Sequence, residues 1–142
     1  MKTRLIMILT FFATLLGACS ASREMSIRDA WARPASAGDN GAAYFVIENG
    51  TPSADTLLSV SSDIASATEV HLSMVMDGGV MSMKQQESVS VPAKDKVEFK
   101  PGGLHVMFVG LTQDLKVGDT ITLTLNFENA GNRIIEVPIR EP

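Results

Sequence analysis

The sequence predicts an all-β protein, an antiparallel sandwich or barrel, on three observations. Thr120 to Phe127 alternates polar and apolar residues throughout, the pattern of a strand with one face buried. Turn-forming residues punctuate the chain at short intervals: Asn49-Gly50, Asp77-Gly78-Gly79, Pro101-Gly102-Gly103 and Asn129-Ala130-Gly131. No stretch sustains a 3.6-residue apolar period. Strands this short and this closely spaced favour antiparallel pairing in a single domain.

The N-terminus sets the compartment. Lys2 and Arg4 give a basic start, and Leu5 to Leu16 is apolar apart from Thr10 and Thr14. That run is too short to span a bilayer as a mature helix and reads as a secretory signal. Leu16-Gly17-Ala18-Cys19 follows and resembles a bacterial lipobox, in which the cysteine is acylated and becomes the first mature residue. Each buried methylene of an attached chain contributes about 0.8 kcal/mol, so a multiply acylated terminus would hold the protein on a membrane. Ser20 resembles the outer-membrane sorting pattern rather than the inner-membrane one. The expected division is therefore a signal peptide over 1–18, a lipidated terminus and tether over 19–25, and one β domain over 26–142.

Within that domain the elements follow in order. Parts of Ile27 to Arg33 and Ala43 to Ile47 alternate as strands do, and Asn49-Gly50 turns the chain. Asp63 to Ala67 is expected to make one short turn of helix at most. A strand carrying His71 is expected to fold back at Asp77-Gly78-Gly79 against a strand carrying Met83. After Pro101-Gly102-Gly103, Leu104 to Phe108 alternates again, and Asn129-Ala130-Gly131 ends the Thr120–Phe127 strand.

Charge and cysteine content exclude several classes. Removing Lys2 and Arg4 from the 12 basic residues leaves 10 against 16 acidic, a mature net charge of −6. No basic patch with interleaved aromatics is present, so nucleic acid is not an expected partner. The chain has a single cysteine. With Cys19 acylated, no free thiol or disulfide is left in an oxidising compartment.

The chemistry lies in methionine and histidine. The methionines beyond the signal are Met25, Met74, Met76, Met81, Met83 and Met107, and all but Met25 fall in one segment with both histidines, His71 and His105. Residues two apart on a strand share a face, roughly 6–7 Å apart. His105 and Met107 therefore project together, while Leu104, Val106 and Phe108 face the core. Met81 and Met83 likewise share a face. Met74 and Met76 have the parity of Leu72, opposite to His71, and are assigned to the core or a loose outer shell. Met25, beside the tether, is assigned to neither the core nor the site.

Thioether is a soft, neutral ligand and imidazole is borderline, so two of each suit Cu(I), and Ag(I) fits the same chemistry. Zn(II) fits poorly, since its usual ligands are thiolate, imidazole and carboxylate. Methionine also avoids the disulfide formation to which a thiolate is prone in this compartment. Composition and spacing alone leave two readings: a soft-metal site, or a methionine-rich core or interaction face.

At these residues the sequence resembles the periplasmic copper chaperones of the PCuAC type. Their motif is His, usually Met, ten residues, Met, twenty-one residues, His, one residue, Met. Here His71 and Leu72 are followed by ten residues to Met83, then twenty-one to His105, Val106 and Met107. The spacing selects Met83 over Met81; Leu72 departs from the family at its optional position. Asp29-Ala30-Trp31-Ala32-Arg33-Pro34, Gly41-Ala42-Ala43-Tyr44, Val80-Met81-Ser82-Met83 and Pro101-Gly102-Gly103-Leu104-His105 also look like its members. The resemblance implies a cupredoxin-like β-sandwich of Greek-key type and a Cu(I) site of His71, Met83, His105 and Met107. It further implies a transient protein partner, either the copper subunit of cytochrome c oxidase or another periplasmic copper chaperone.

Competing functions are separated by what the chain lacks. A blue-copper electron carrier needs a cysteine thiolate beside two histidines, and no mature thiol is available. A metal-dependent enzyme needs an open Lewis-acidic position and a general base. The nearest acid to the motif in sequence, Asp77, has a turn role, so no enzymatic activity is expected. The alternative left is a periplasmic copper buffer or tolerance protein without a dedicated client, because storage and delivery use the same ligands.

Overall fold

The computed structural model of the protein describes residues 24–142. The signal peptide, Cys19 and the tether up to residue 23 lie outside the described residues. Ten strands are present among them: β1 Met25–Ala32, β2 Gly41–Asn49, β3 Asp55–Ser61, β4 Ala65–Val75, β5 Met81–Gln86, β6 Val89–Val91, β7 Asp95–Phe99, β8 Leu104–Leu111, β9 Thr120–Phe127 and β10 Gly131–Pro138. They form a six-stranded sheet in the order β1-β2-β7-β8-β4-β5 and a four-stranded sheet in the order β10-β9-β3-β6. The result is a sandwich.

The core lies between the sheets. Phe45, Ile47, Val106 and Phe108 enter it from the larger sheet, and Leu57, Leu123, Leu125 and Phe127 from the smaller. In β9 every apolar residue of the alternating run is buried, so the period of two read from the sequence is the period of burial. Phe45 stacks on Phe99 with ring centroids 4.4 Å apart and ring planes 23° apart, a contact that adds to their area burial.

The larger sheet brings distant segments to one place. β7 pairs with Phe45–Asn49 of β2, and β8 with Gly41–Ala43 of the same strand. The two thus occupy successive stretches of one edge, with a turn between them closed by Gly103 N–H donating to Lys100 O at 3.0 Å. The other side of β8 runs antiparallel to β4 from Ala65↔Leu111 to Leu72↔Leu104. β5 completes the sheet as a hairpin with β4, closed by Met76 N–H to Val80 O at 2.8 Å. Gly78 and Gly79 take φ of 85° and 78° in that turn, a region costly to any residue with a Cβ.

Asp63–Ala67, expected to make one helical turn at most, makes none: the chain bends at Asp63 and Ile64 and enters β4 at Ala65. Two expectations are corrected. Met25 is the first residue of β1 and is 6% exposed, so it belongs to the core and not to the tether. Met74 and Met76 do not enter the core. They are 38% and 52% exposed, because the β4–β5 hairpin carries them past the cover of the smaller sheet. Strand parity fixes which face a residue takes, but only a packed partner makes that face interior.

Candidate metal centre

Strand pairing assembles the motif on the face of the larger sheet that points away from the core. In β8, Val106 and Phe108 are fully buried in the core, so His105 and Met107 emerge on the opposite face. β4 is in register such that His71 pairs directly with His105 and Glu69 with Met107. On the other edge of β4, Ser73 pairs with Met83 and His71 with Gln85. Opposed residues in an antiparallel pair share a face. His71, Met83, His105 and Met107 therefore all project from one face, drawn from three adjacent strands.

The imidazoles of His71 and His105 have centroids 6.0 Å apart, tilted by 40°. A nitrogen–metal bond is about 2 Å, so two rings that share one ion sit at about this separation. Met83, His105 and Met107 line one open cleft of about 250 Å³, whose far wall is Arg33, Pro34, Ala35, Asn40, Gly41 and Ala42. Ala42 pairs with Met107 across β2 and β8, and its small side chain leaves room beside the thioether. The loop joining β1 to β2 lines the same cleft as His105, which is 6% exposed, whereas Met83 is 59% exposed at the outer edge. The donor set is thus sheltered at one end and open at the other.

Each histidine is tethered by one nitrogen. His105 Nδ1 lies 3.0 Å from Gly103 O, and since a carbonyl only accepts, Nδ1 carries the proton and Nε2 the lone pair. His71 Nε2 lies 2.7 Å from the Glu69 carboxylate. Its Nδ1 is buried with no hydrogen-bond partner among the described residues. Leaving a buried polar atom unpaired costs roughly 1–3 kcal/mol. An orphan imidazole nitrogen on the same sheet face as a second imidazole and two thioethers suits a soft cation. Among the described residues no three His, Cys, Asp or Glu side chains cluster to hold an ion.

Met81 also projects from this face, but it pairs with Val75, two positions farther than Met83 from the level of His71. Met74 pairs with Ser82 and takes the opposite face. Sequence reasoning missed Glu69, the carbonyl of Gly103 and the Arg33–Ala42 wall. Glu69 was within reach of the parity rule, being two residues before His71. The carbonyl and the wall carry no local signal.

The lipoprotein LpqE-like family matches residues 25–139 of this chain. A protein of Leifsonia xyli subsp. xyli (strain CTCB07), named as lipoprotein Lxx21020, is 26% identical over 153 residues, covering 98% of this chain and 92% of its own length. Among solved structures, the apo PCuAC domain from PmoF1 superposes with a TM-score of 0.69 at 26% identity, covering 84% of this chain and 95% of that one. The copper-bound PCuAC domain from PmoF2 has the same TM-score at 24% identity, with 84% and 94% covered. The sandwich is thus the cupredoxin-like fold of PCuAC domains.

Proposed function

Because the chain belongs to the LpqE-like family, of PCuAC type, we propose that it is a copper chaperone that carries one Cu(I) on His71, Met83, His105 and Met107. The observation that carries this reading is the direct pairing of His71 with His105, rings 6.0 Å apart, on the same face as both thioethers. Two imidazoles and two thioethers are neutral ligands, so the ion keeps its single positive charge and binding requires no thiolate. Copper is cargo here, and the open side at Met83 gives a recipient's ligands a way in. Exchange through shared coordination needs such an accessible ligand.

The lipoprotein names of the family and of the Leifsonia relative support export and anchoring through Cys19. On this reading the chaperone works in the periplasm, held to a membrane by its lipid, with Ser20 favouring the outer membrane. The recipient is the copper subunit of cytochrome c oxidase or another periplasmic copper chaperone.

A competition titration tests the metal. One Cu(I) per chain is expected, displaced by Ag(I) and not by equal Zn(II); tighter Zn(II) than Cu(I) binding overturns the assignment. Delivery is tested in a deletion strain at limiting copper, where oxidase activity should fall. Unchanged oxidase with lowered cellular copper would identify a buffer instead.

A further inference from the structure

We infer that Glu69 is a positioning residue that makes the two histidines bind the ion through different ring nitrogens, His71 through Nδ1 and His105 through Nε2. The inference rests on the proposed Cu(I) binding. Three observations lead to it. The Glu69 carboxylate is 2.7 Å from His71 Nε2, and a carboxylate so placed holds the proton on that nitrogen. The opposite nitrogen, Nδ1, is buried and has no hydrogen-bond partner among the described residues. His105 is tied the other way round, its Nδ1 donating to Gly103 O and its Nε2 left free.

The register gives Glu69 a reason to be there. It pairs with Met107 across β4 and β8, so it stands on the ligand face between a thioether and an imidazole. Its parity also fixes it two residues from His71 on one strand, so its reach is set by backbone geometry. A plain surface ion pair would account for the short Nε2 contact but not for the orphaned Nδ1. Holding a ligand's second nitrogen with a carboxylate fixes both tautomer and ring orientation and raises the basicity of the donor. The carboxylate charge also offsets that of the ion without joining the donor set.

The test is long-range proton–nitrogen NMR of the 15N-labelled protein, without and with one equivalent of Cu(I) under anaerobic conditions. Copper should shift His71 Nδ1 and His105 Nε2, leaving His71 Nε2 and His105 Nδ1 protonated. Glu69→Ala should let His71 sample both tautomers before loading and weaken Cu(I) by about 10–100-fold, the usual cost of losing such a partner. Glu69→Gln keeps an oxygen that accepts from Nε2–H and should restore the parent nitrogen pattern and most of the affinity. Both histidines binding through Nε2 in the parent would overturn the inference while leaving Cu(I) binding intact. A Glu69→Ala protein with the parent's nitrogen pattern and affinity would overturn it too. If Cu(I) shifted neither ring, the proposed metal site itself would fail, and the inference with it.

Discussion

His71 and His105 are direct partners in the β4–β8 ladder, their rings 6.0 Å apart and tilted by 40°. They come from strands separated along the chain by β5, β6 and β7, yet backbone hydrogen bonds hold them side by side. The pair thus exists before any ion arrives, and little ordering cost remains for binding.

That pairing predicts coupling. His71→Ala and His105→Ala should each weaken Cu(I) by at least about tenfold, or about 1.4 kcal/mol. The double variant should lose less than the sum, since one ion senses both rings. Cu(I) competition titrations on the four proteins complete the cycle. Strictly additive losses would mean that the rings do not share an ion.

Met83 and Met81 should behave differently although both are exposed on the same strand. Met83 stands opposite Ser73, next to the level of His71, and Met81 opposite Val75 at the hairpin end. Met83→Ala should weaken Cu(I) at least about tenfold and Met81→Ala less than about threefold. X-ray absorption should show one sulfur fewer in the copper shell of the Met83→Ala protein only. A larger loss at Met81 would overturn the spacing that selects Met83.

Met25 should matter to folding and not to copper. It is buried in the core at the start of β1. Met25→Ala should destabilise by about 2–5 kcal/mol, the range for truncating a buried methionine. Urea unfolding measures the loss, and Cu(I) affinity of the folded variant should match the parent. Unchanged stability would return Met25 to the tether.

Acid should act through Asp55. Burial opposes its charge, but the backbone N–H groups of Asn129, Thr56 and Ala130 and the Asn129 amide outweigh that effect and hold its carboxyl below its ordinary value. A depressed folded value means the charge stabilises the protein above the unfolded pKa of about 3.9. That contribution is lost as pH falls through the lower folded value. Asp55→Asn puts an amide N–H₂ or a weaker oxygen against these donors and should cost about 1.5–3 kcal/mol at pH 7. The variant should also show a shallower loss of stability below about pH 4. Urea unfolding between neutral pH and pH 3 measures both. Parallel acid curves for parent and variant would exclude Asp55 as the titrating group.

Part of the fold and site was legible because the relevant signals are local. A period of two is a property of the strand backbone, so the burial of Leu123 and Leu125 and the shared face of His105 and Met107 follow from position alone. Asp77-Gly78-Gly79 marks a turn because the φ values of Gly78 and Gly79 suit only glycine at low cost. With β4 and β5 thus joined, the shared face of Met81 and Met83 follows from counting residues along the strand.

Other features had no local cause. Met74 has the parity of a core residue and lies exposed near the turn end of the β4–β5 hairpin. Met25 sits beside an unpaired terminus in sequence and is buried, because β1 pairs with β2 and is covered from the other sheet. By itself, then, the sequence determined an all-β chain and the spacing of two imidazoles and two thioethers along it. Only the tertiary structure decided that His71 meets His105 across one ladder, that the Arg33–Ala42 wall shelters one end of the site, and which nitrogen of each ring is tied back. The physical reason is that faces and turns are set by neighbours along the chain, whereas burial and hydrogen-bond partners are set by whatever distant segment packs alongside.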